Sequence, residues 1–261
     1  MLINPHNFKL PVKDLTDIFV VADFSRTITT DISQTTWSIL AKNDLGPEGY
    51  IAGRNALYDE YRVIEVDETL PDATRSALVK EWFSKHLELF IKYEITESLI
   101  KRAVDEVNVM IFRPGAKEFI DFLHENKIPL IINSAGIGNF IEAFFKKHHC
   151  YYDNIYITSN KLVFKDNQPI GLEKTVVSSL NKDEIELPEE IKAKIASCSL
   201  ALLLGDELGD LKMAPALGKD VIKVAFYTEE NIEKVKAKYD VIIEENEDYF
   251  TLSKLIFEEH Q

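Results

Sequence analysis

Cysteine is nearly absent from this 261-residue chain: there are two, Cys150 and Cys198, with no CxxC pair and no Cys/His spacing suited to a metal. So few cysteines argue against a disulfide scaffold and for a reducing, cytoplasmic setting. Long apolar runs are missing as well. The longest, such as Ile18 to Ala22 and Leu200 to Leu204, have the length of a strand and fall far short of a bilayer span. The opening residues MLINPHNFKLPVKD are mixed polar and lack the apolar stretch of a secretory signal. There is no basic excess either: 30 Lys and Arg stand against 44 Asp and Glu, a formal charge of −14. A chain that neutralises polynucleotide phosphates needs a basic footprint, so nucleic acid is an unsuitable partner. A single phosphate is a different matter, because one metal ion and one lysine supply enough local positive charge. What the chain does have is 46 % hydrophobic residues, too many for intrinsic disorder and enough for one large core or two modest ones.

Six short β-branched runs are bounded by polar or turn residues: Asp17-IFVVA-Asp23, Pro129-LIIN-Ser134, Asn154-IYIT-Ser159, Ser199-LALLL-Gly205, Val221-IKVAF-Tyr227 and Asp240-VII-Glu244. Helical patterns separate them, over Ala116 to Asn126, Asn139 to His148 and Glu229 to Lys238. Continuous apolar strands alternating with helices predict a doubly wound α/β core, a parallel sheet covered on both faces. One stretch breaks the alternation. Between about residues 30 and 112 there is no buried-strand run, while Leu78, Trp82, Lys85 and Leu89, with Val79, Phe83, His86 and Phe90, follow helical spacing. Ser98 to Met110 reads as a further helix, and Arg113-Pro114-Gly115 marks the return to the core. The expected division is a core of residues 1–30 and 112–261 with an all-helical cap over 31–111. A hairpin is expected over Lys161 to Leu172, turning at Asp166-Asn167.

Four polar clusters fall in loops or at the C-terminal ends of strands, where ligands gather in open α/β sheets. They are Asp23-Phe24-Ser25-Arg26-Thr27, Ser134-Ala135-Gly136-Ile137-Gly138, Lys182, and Gly205-Asp206-Glu207-Leu208-Gly209-Asp210. Each alone also has a structural reading: Asp23 as a helix cap, Ser134 with its glycines as a tight turn, Lys182 as a solvated lysine, and the GDxxxD turn as caps. Together they suit one chemistry. A magnesium ion on Asp23 and Asp206 would screen the charge of a phosphate monoester, with Asp210 positioning a metal-bound water. Asp23 would attack phosphorus to give an aspartyl-phosphate. Ser134 and the Ala135 amide would hold phosphoryl oxygens, and Lys182 would neutralise charge as a point cation.

These motifs resemble the haloacid dehalogenase-like (HAD) hydrolase superfamily over the whole chain. The chain is similar in particular to the cytosolic pyrimidine 5′-nucleotidase family (type III), through Ser134-AGIG-Asn139, Gly205-DELGDLKMA-Ala214, Leu180-NK-Lys182, Tyr61-RVIEVD-Asp67 and Glu81-WFSKH-His86. The resemblance implies a HAD-like, Rossmann-like core with an inserted C1-type helical cap. It also implies a cytoplasmic 5′-nucleotidase that uses Mg2+ on small nucleoside monophosphates. It places the backbone carbonyl of Ser25 among the metal ligands and makes Glu65 and His86 the base contacts. A carboxylate at Glu65 suits an exocyclic amine such as cytosine's. Structural readings stand beside these: Glu65 as a surface residue at a helix end, His86 as a packed helix residue, and Trp82 and Phe83 as cap core.

The chain departs from the family at Ser25, where an aspartate normally protonates the departing nucleoside oxygen and then activates water. A hydroxyl is a poor proton donor at neutral pH. The departure opens a rival expectation, a nucleotide- or phosphate-binding protein with little or no turnover. His86, where the family normally has a serine, is a second departure. Arg26 reads equally as a phosphate contact or an exposed structural arginine, His148-His149-Cys150 as structural, and Glu244 to Asp248 as a solvated loop.

Overall fold

The computed structural model describes residues 14–67, 69–173, 176–184, 187–227 and 232–244, together with Tyr249 and Leu252. The expectations for residues 1–13, for 228–231 at the start of the helix predicted from Glu229, and for 245–248 of the acidic run lie outside the described residues.

The chain enters through β1 (Ile18–Ala22) and then passes through four helices, α1 (Ile39–Lys42), α2 (Glu48–Glu65), α3 (Asp72–Lys92) and α4 (Glu97–Glu106). It returns through α5 (Ala116–Glu125), β2 (Leu130–Ile137), α6 (Gly138–Lys147) and β3 (Ile155–Asn160). The hairpin β4 (Leu162–Lys165) and β5 (Gln168–Leu172) follows, then α7 (Glu189–Ile195) and β6 (Leu200–Gly205). The last described elements are α8 (Met213–Ala216), β7 (Asp220–Tyr227), α9 (Ile232–Lys236) and β8 (Val241–Glu244). All six predicted core strands are present and pair in parallel, in the order β3-β2-β1-β6-β7-β8.

Both faces of this sheet are covered, which explains the unbroken apolar runs. Ile18, Val20 and Ala22 pack with Phe119, Phe140 and Phe144, whereas Phe19 and Val21 pack with Ile191, Ile195 and Met213. The order reverses between β1 and β6, because the chain builds outward to β3 and then crosses back to the other side of β1. That switch point is where an open α/β sheet leaves a crevice beyond its strand ends.

Two boundaries and one helix differ from expectation. The helix predicted to reach Met110 stops at Glu106, because β-branched Val107 adopts extended angles (φ −105°, ψ 110°). Strand β2 runs past Ser134 to Ile137 rather than ending in a turn. Helix α2 had no predicted counterpart, since only Tyr50, Arg54 and Tyr61 of its 18 residues are buried and its apolar stripe is thin. The hairpin turns where expected, with Asp166 (φ 48°) and Asn167 (φ 68°) both left-handed, as a two-residue type I′ turn requires.

Candidate active site

Asp23 follows the last residue of β1 and Asp206 follows the last of β6, and parallel pairing of Ala22 with Leu204 brings both to the switch point, Asp206 one residue further along its strand. Asp23 occupies the position before a helical turn, yet its side chain makes no capping hydrogen bond. Its carboxylate faces Lys182 instead. Lys182 Nζ donates to Asp23 Oδ1 at 2.6 Å and to Asp210 Oδ1 at 2.6 Å. The lysine is only 4 % exposed, so it is a buried countercharge rather than a solvated side chain.

Asp210 also ties its own loop. Its Oδ2 accepts from the Asp206 amide at 2.9 Å and the Glu207 amide at 3.0 Å. Gly205 permits this fold-back, for a Cβ there would lie 2.5 Å from that oxygen. Thr27 Oγ1 donates to Asp206 Oδ1 at 3.2 Å, which links the first and fourth clusters directly. Two buried carboxylates therefore share one ammonium, and the buried carboxylate of Asp206 adds a further negative charge at the site. Burial pushes the Asp23 carboxyl up to about 6 against the pull of Lys182, with Asp210 adding to the rise. Burial, then the charges of Asp210 and Asp23, raise Asp206 well above the usual carboxylate range. Burial opposes the charge of Lys182, but Asp210 and Asp23 outweigh it and its pKa lies above that of a free lysine.

This excess of negative charge fits a hard divalent cation. Among the described residues no three His, Cys, Asp or Glu side chains form a ready cage. An open pair of carboxylates is nonetheless what Mg2+ takes, since it keeps several waters and shares substrate phosphates. Asp23 and Asp206 are the residues that would supply hard oxygens to such an ion, and Ser25 lies in the turn immediately after Asp23.

That turn, Phe24–Ile28, departs from helical geometry at Ser25 (ψ 129°) and at Arg26, whose φ of 62° is left-handed. Side chains from elsewhere hold it there. Arg113 Nη2 donates to the Arg26 carbonyl at 2.6 Å and its Nε to the Thr27 carbonyl at 3.3 Å, while the guanidinium lies over Phe226. The Tyr249 hydroxyl also donates to the Thr27 carbonyl, at 3.2 Å. In the sequence Arg113 reads as part of the Arg113-Pro114-Gly115 punctuation, and its one signal is a charge in a return otherwise built for burial. Arg26 is exposed and forms an ion pair with Glu207 at 3.7 Å.

Ser134 is 1 % exposed, and its Oγ accepts from the Gly136 amide at 3.1 Å. The Ala135 carbonyl accepts from Trp37 Nε1 and from Asn160 Nδ2, each at 2.9 Å. Thr36 Oγ1 accepts from the Ile137 amide at 2.8 Å, so the segment before α1 braces this loop from the helical side. Trp37, Thr36 and Asn160 carried no sequence motif and were not anticipated.

Glu65, at the end of α2, reaches the core. Its Oε1 accepts from Ser179 Oγ at 3.1 Å and its other oxygen pairs with Arg62. Ser179 precedes Lys182 by three residues, so Glu65 is tied to the segment that carries Lys182 instead of standing on an open surface. His86 is placed differently. It is 2 % exposed, packs against Trp37, Tyr50 and Phe90, and shares a 3.1 Å hydrogen bond with the Tyr50 hydroxyl. Trp82 and Phe83 are buried beside Tyr61 and Trp37 respectively, among the helices.

The sequence matches the family described as pyrimidine 5′-nucleotidase (UMPH-1) over residues 24–258. The chain belongs to the pyrimidine 5′-nucleotidase family. Among its relatives, a Drosophila melanogaster protein named 7-methylguanosine phosphate-specific 5′-nucleotidase is 26 % identical over 93 % of this chain and 81 % of its own. A solved structure of cytosolic 5′-nucleotidase IIIB bound to cytidine superposes with a TM-score of 0.83 at 25 % identity, covering 95 % of this chain and 88 % of that one. A HAD-family hydrolase from Salmonella enterica shares the fold, with a TM-score of 0.63 at 15 % identity over 97 % of this chain and 75 % of that one. The member described here is accordingly a phosphoric monoester hydrolase with a HAD-type parallel sheet.

Proposed function

We propose that this enzyme is a cytoplasmic, magnesium-dependent 5′-nucleotidase that releases phosphate from nucleoside 5′-monophosphates through an aspartyl-phosphate on Asp23. The observation that carries the reading is Lys182 held 2.6 Å from both Asp23 and Asp210 at the switch point of the sheet. Mg2+ on Asp23, Asp206 and the Ser25 carbonyl would supply charge screening for the phosphoryl group. The free Asp23 oxygen attacks phosphorus, the new O–P bond forms, and the bond from phosphorus to the 5′ oxygen breaks. Lys182 offsets the negative charge, while Ser134 Oγ and the Ala135 amide hold phosphoryl oxygens. The departing 5′ oxygen takes its proton from solvent, because Ser25 has no acid to give. Water then cleaves the acyl-phosphate and restores Asp23, with Asp210 orienting that water.

The helical segment 31–111 acts as a cap over a core of residues 1–30 and 112–261, and Glu65 carries its contribution to base recognition. His86, expected as a second base contact, is buried against Trp37, Tyr50 and Phe90 and bonded to the Tyr50 hydroxyl, so it packs the helices instead of meeting a base. Cytosine and 7-methylguanine, the bases in the names of the relatives, both bear an exocyclic amine, which the Glu65 carboxylate suits as an acceptor. Phosphate release from CMP, UMP, AMP and 7-methyl-GMP, with Mg2+ and with EDTA, tests the reading. Release from at least one substrate that EDTA abolishes is the expected result, and no metal-dependent release from any of them overturns it. Ser25 favours one other outcome, tight nucleotide binding without turnover, which calorimetry on the same panel would reveal.

A further inference from the structure

Asn133 stands immediately before Ser134 in β2 and is 5 % exposed, yet its side-chain Oδ1 has no hydrogen-bond partner. An unpaired buried carbonyl is destabilising, and an apolar residue of the same shape would remove that cost. Such a group in a native core calls for an explanation other than stability.

Its position in the sheet supplies one. Strands β1 and β2 run in the register Val20 with Leu130, Val21 with Ile131 and Ala22 with Ile132. The next pair in line is Asp23 and Asn133. Alternation puts both on one face: Phe19, Val21 and Ile131 share one apolar cluster, whereas Val20, Ala22, Leu130 and Ile132 share the other. Asp23 keeps extended angles (φ −67°, ψ 164°), so the alternation continues through it. The turn Lys182–Glu184 packs on β2 and on α8, whose Met213 belongs to that same face. An ammonium has three donors, and Lys182 gives two of them to Asp23 and Asp210.

We propose that Asn133 is a positioning residue: its carboxamide, on the strand beside Asp23, fixes the direction in which the Asp23–Lys182 pair meets the phosphoryl group. Either end of the amide suits this neighbourhood. The oxygen accepts from an ammonium, and a half-turn presents an NH2 donor to a carboxylate.

The inference rests on the phosphatase reading, and Asn133→Leu separates it from a packing role. If Asn133 only packs, the isosteric change raises Tm and leaves turnover within about twofold, because it removes an unpaired polar atom. If it positions the pair, Tm holds or rises while kcat falls about 10- to 100-fold with KM within about twofold, the signature of an interaction made in the transition state. Orthovanadate, which adopts the five-coordinate shape of the transferring group, provides a readout apart from turnover. Calorimetric titration with Mg2+ present should show vanadate binding about tenfold or more weaker in Asn133→Leu than in the parent. Asn133→Ser carries the same measurements should the leucine variant fail to fold. An unchanged kcat together with unchanged vanadate affinity overturns the inference. A parent that hydrolyses no monophosphate overturns the phosphatase reading instead, and the vanadate comparison still decides the part played by Asn133.

Discussion

Lys182 Nζ lies 2.6 Å from Asp23 Oδ1, although the two residues are 159 positions apart in the chain. The pair is buried, and a third charge, Asp210, shares the same ammonium. Removing either member therefore has opposite consequences for stability. Lys182→Met leaves buried carboxylates facing one another without a cation and should cost about 3–5 kcal/mol. Asp23→Asn removes one of the repelling carboxylates, so Tm should hold or rise by about 2–4 °C. Both variants should lose turnover, by about 10²–10³-fold or more for Lys182→Met and to background for Asp23→Asn. Thermal unfolding run beside a phosphate-release assay checks the contrast. Retained turnover in Asp23→Asn would rule out the covalent route.

Ser25→Asp should raise activity. General acid help is worth about 10²–10⁴-fold at most, and it benefits poor leaving groups more than good ones. The expected gain is severalfold or more on CMP and smaller on p-nitrophenyl phosphate, whose phenolate leaves unaided. Equal kcat ratios on the two substrates would count against a proton-donor role at this position.

Arg113 holds the strained turn after Asp23 through two backbone carbonyls. Arg113→Met keeps much of the stem packing against Phe226 but leaves the Arg26 carbonyl without this donor. A loss of about 1–3 kcal/mol in urea unfolding is expected. A fall in kcat of about tenfold or more should accompany it, because small misplacements of a reacting group are costly. Unchanged turnover would show that the turn keeps its shape without the guanidinium.

His86 gives a pH signature of its own. Burial, with Arg54 adding like charge, lowers its pKa to about 3, so the folded protein keeps it neutral through the mildly acidic range. An unfolded histidine gains its proton near pH 6.5. The unfolded state therefore binds more protons than the folded one from about pH 6.5 down to about 3, and stability from this site is lost as pH falls across that window, by about 1.4 kcal/mol per pH unit. Other groups titrate there too, so the test is a difference. The gap between parent and His86→Phe in unfolding free energy should shift in favour of the variant as pH drops from 7 to 5. A pH-independent gap would place the imidazole in contact with solvent.

The sheet was legible because its strands are buried on both faces, which writes them as runs such as IFVVA and LALLL that no amphipathic helix shares. The four polar clusters were legible because strand ends in a parallel sheet point to one edge, so sequence order already implies convergence at Asp23, Ser134 and Asp206. What sets their geometry was not. Arg113, Trp37, Thr36 and Asn160 act on backbone carbonyls and amides, and such contacts leave no pattern in neighbouring residue types. Glu65 was recognisable as a motif member, but its reach to Ser179 depends on how α2 is tilted against the core, which no local periodicity encodes. The end of α4 departs from its sequence pattern for a simpler reason. Val107 and Val109 continue an apolar rhythm that suits a helix, and only the extended backbone at Val107 shows where the helix stops.

The hairpin tip also bears on the order in which the chain is assembled. Asn167 accepts from the Ser98 amide through Oδ1 at 2.8 Å and from the Glu97 amide through its carbonyl at 3.3 Å. The first turn of α4 thus has donors that are answered by a residue synthesised about seventy positions later. During translation α4 emerges with its leading amides open to water, and they are matched only after β4 and β5 have left the ribosome and closed on it. Hydrogen exchange at Glu97 and Ser98 would then report on the hairpin, so that two pieces remote in sequence gain and lose protection as one.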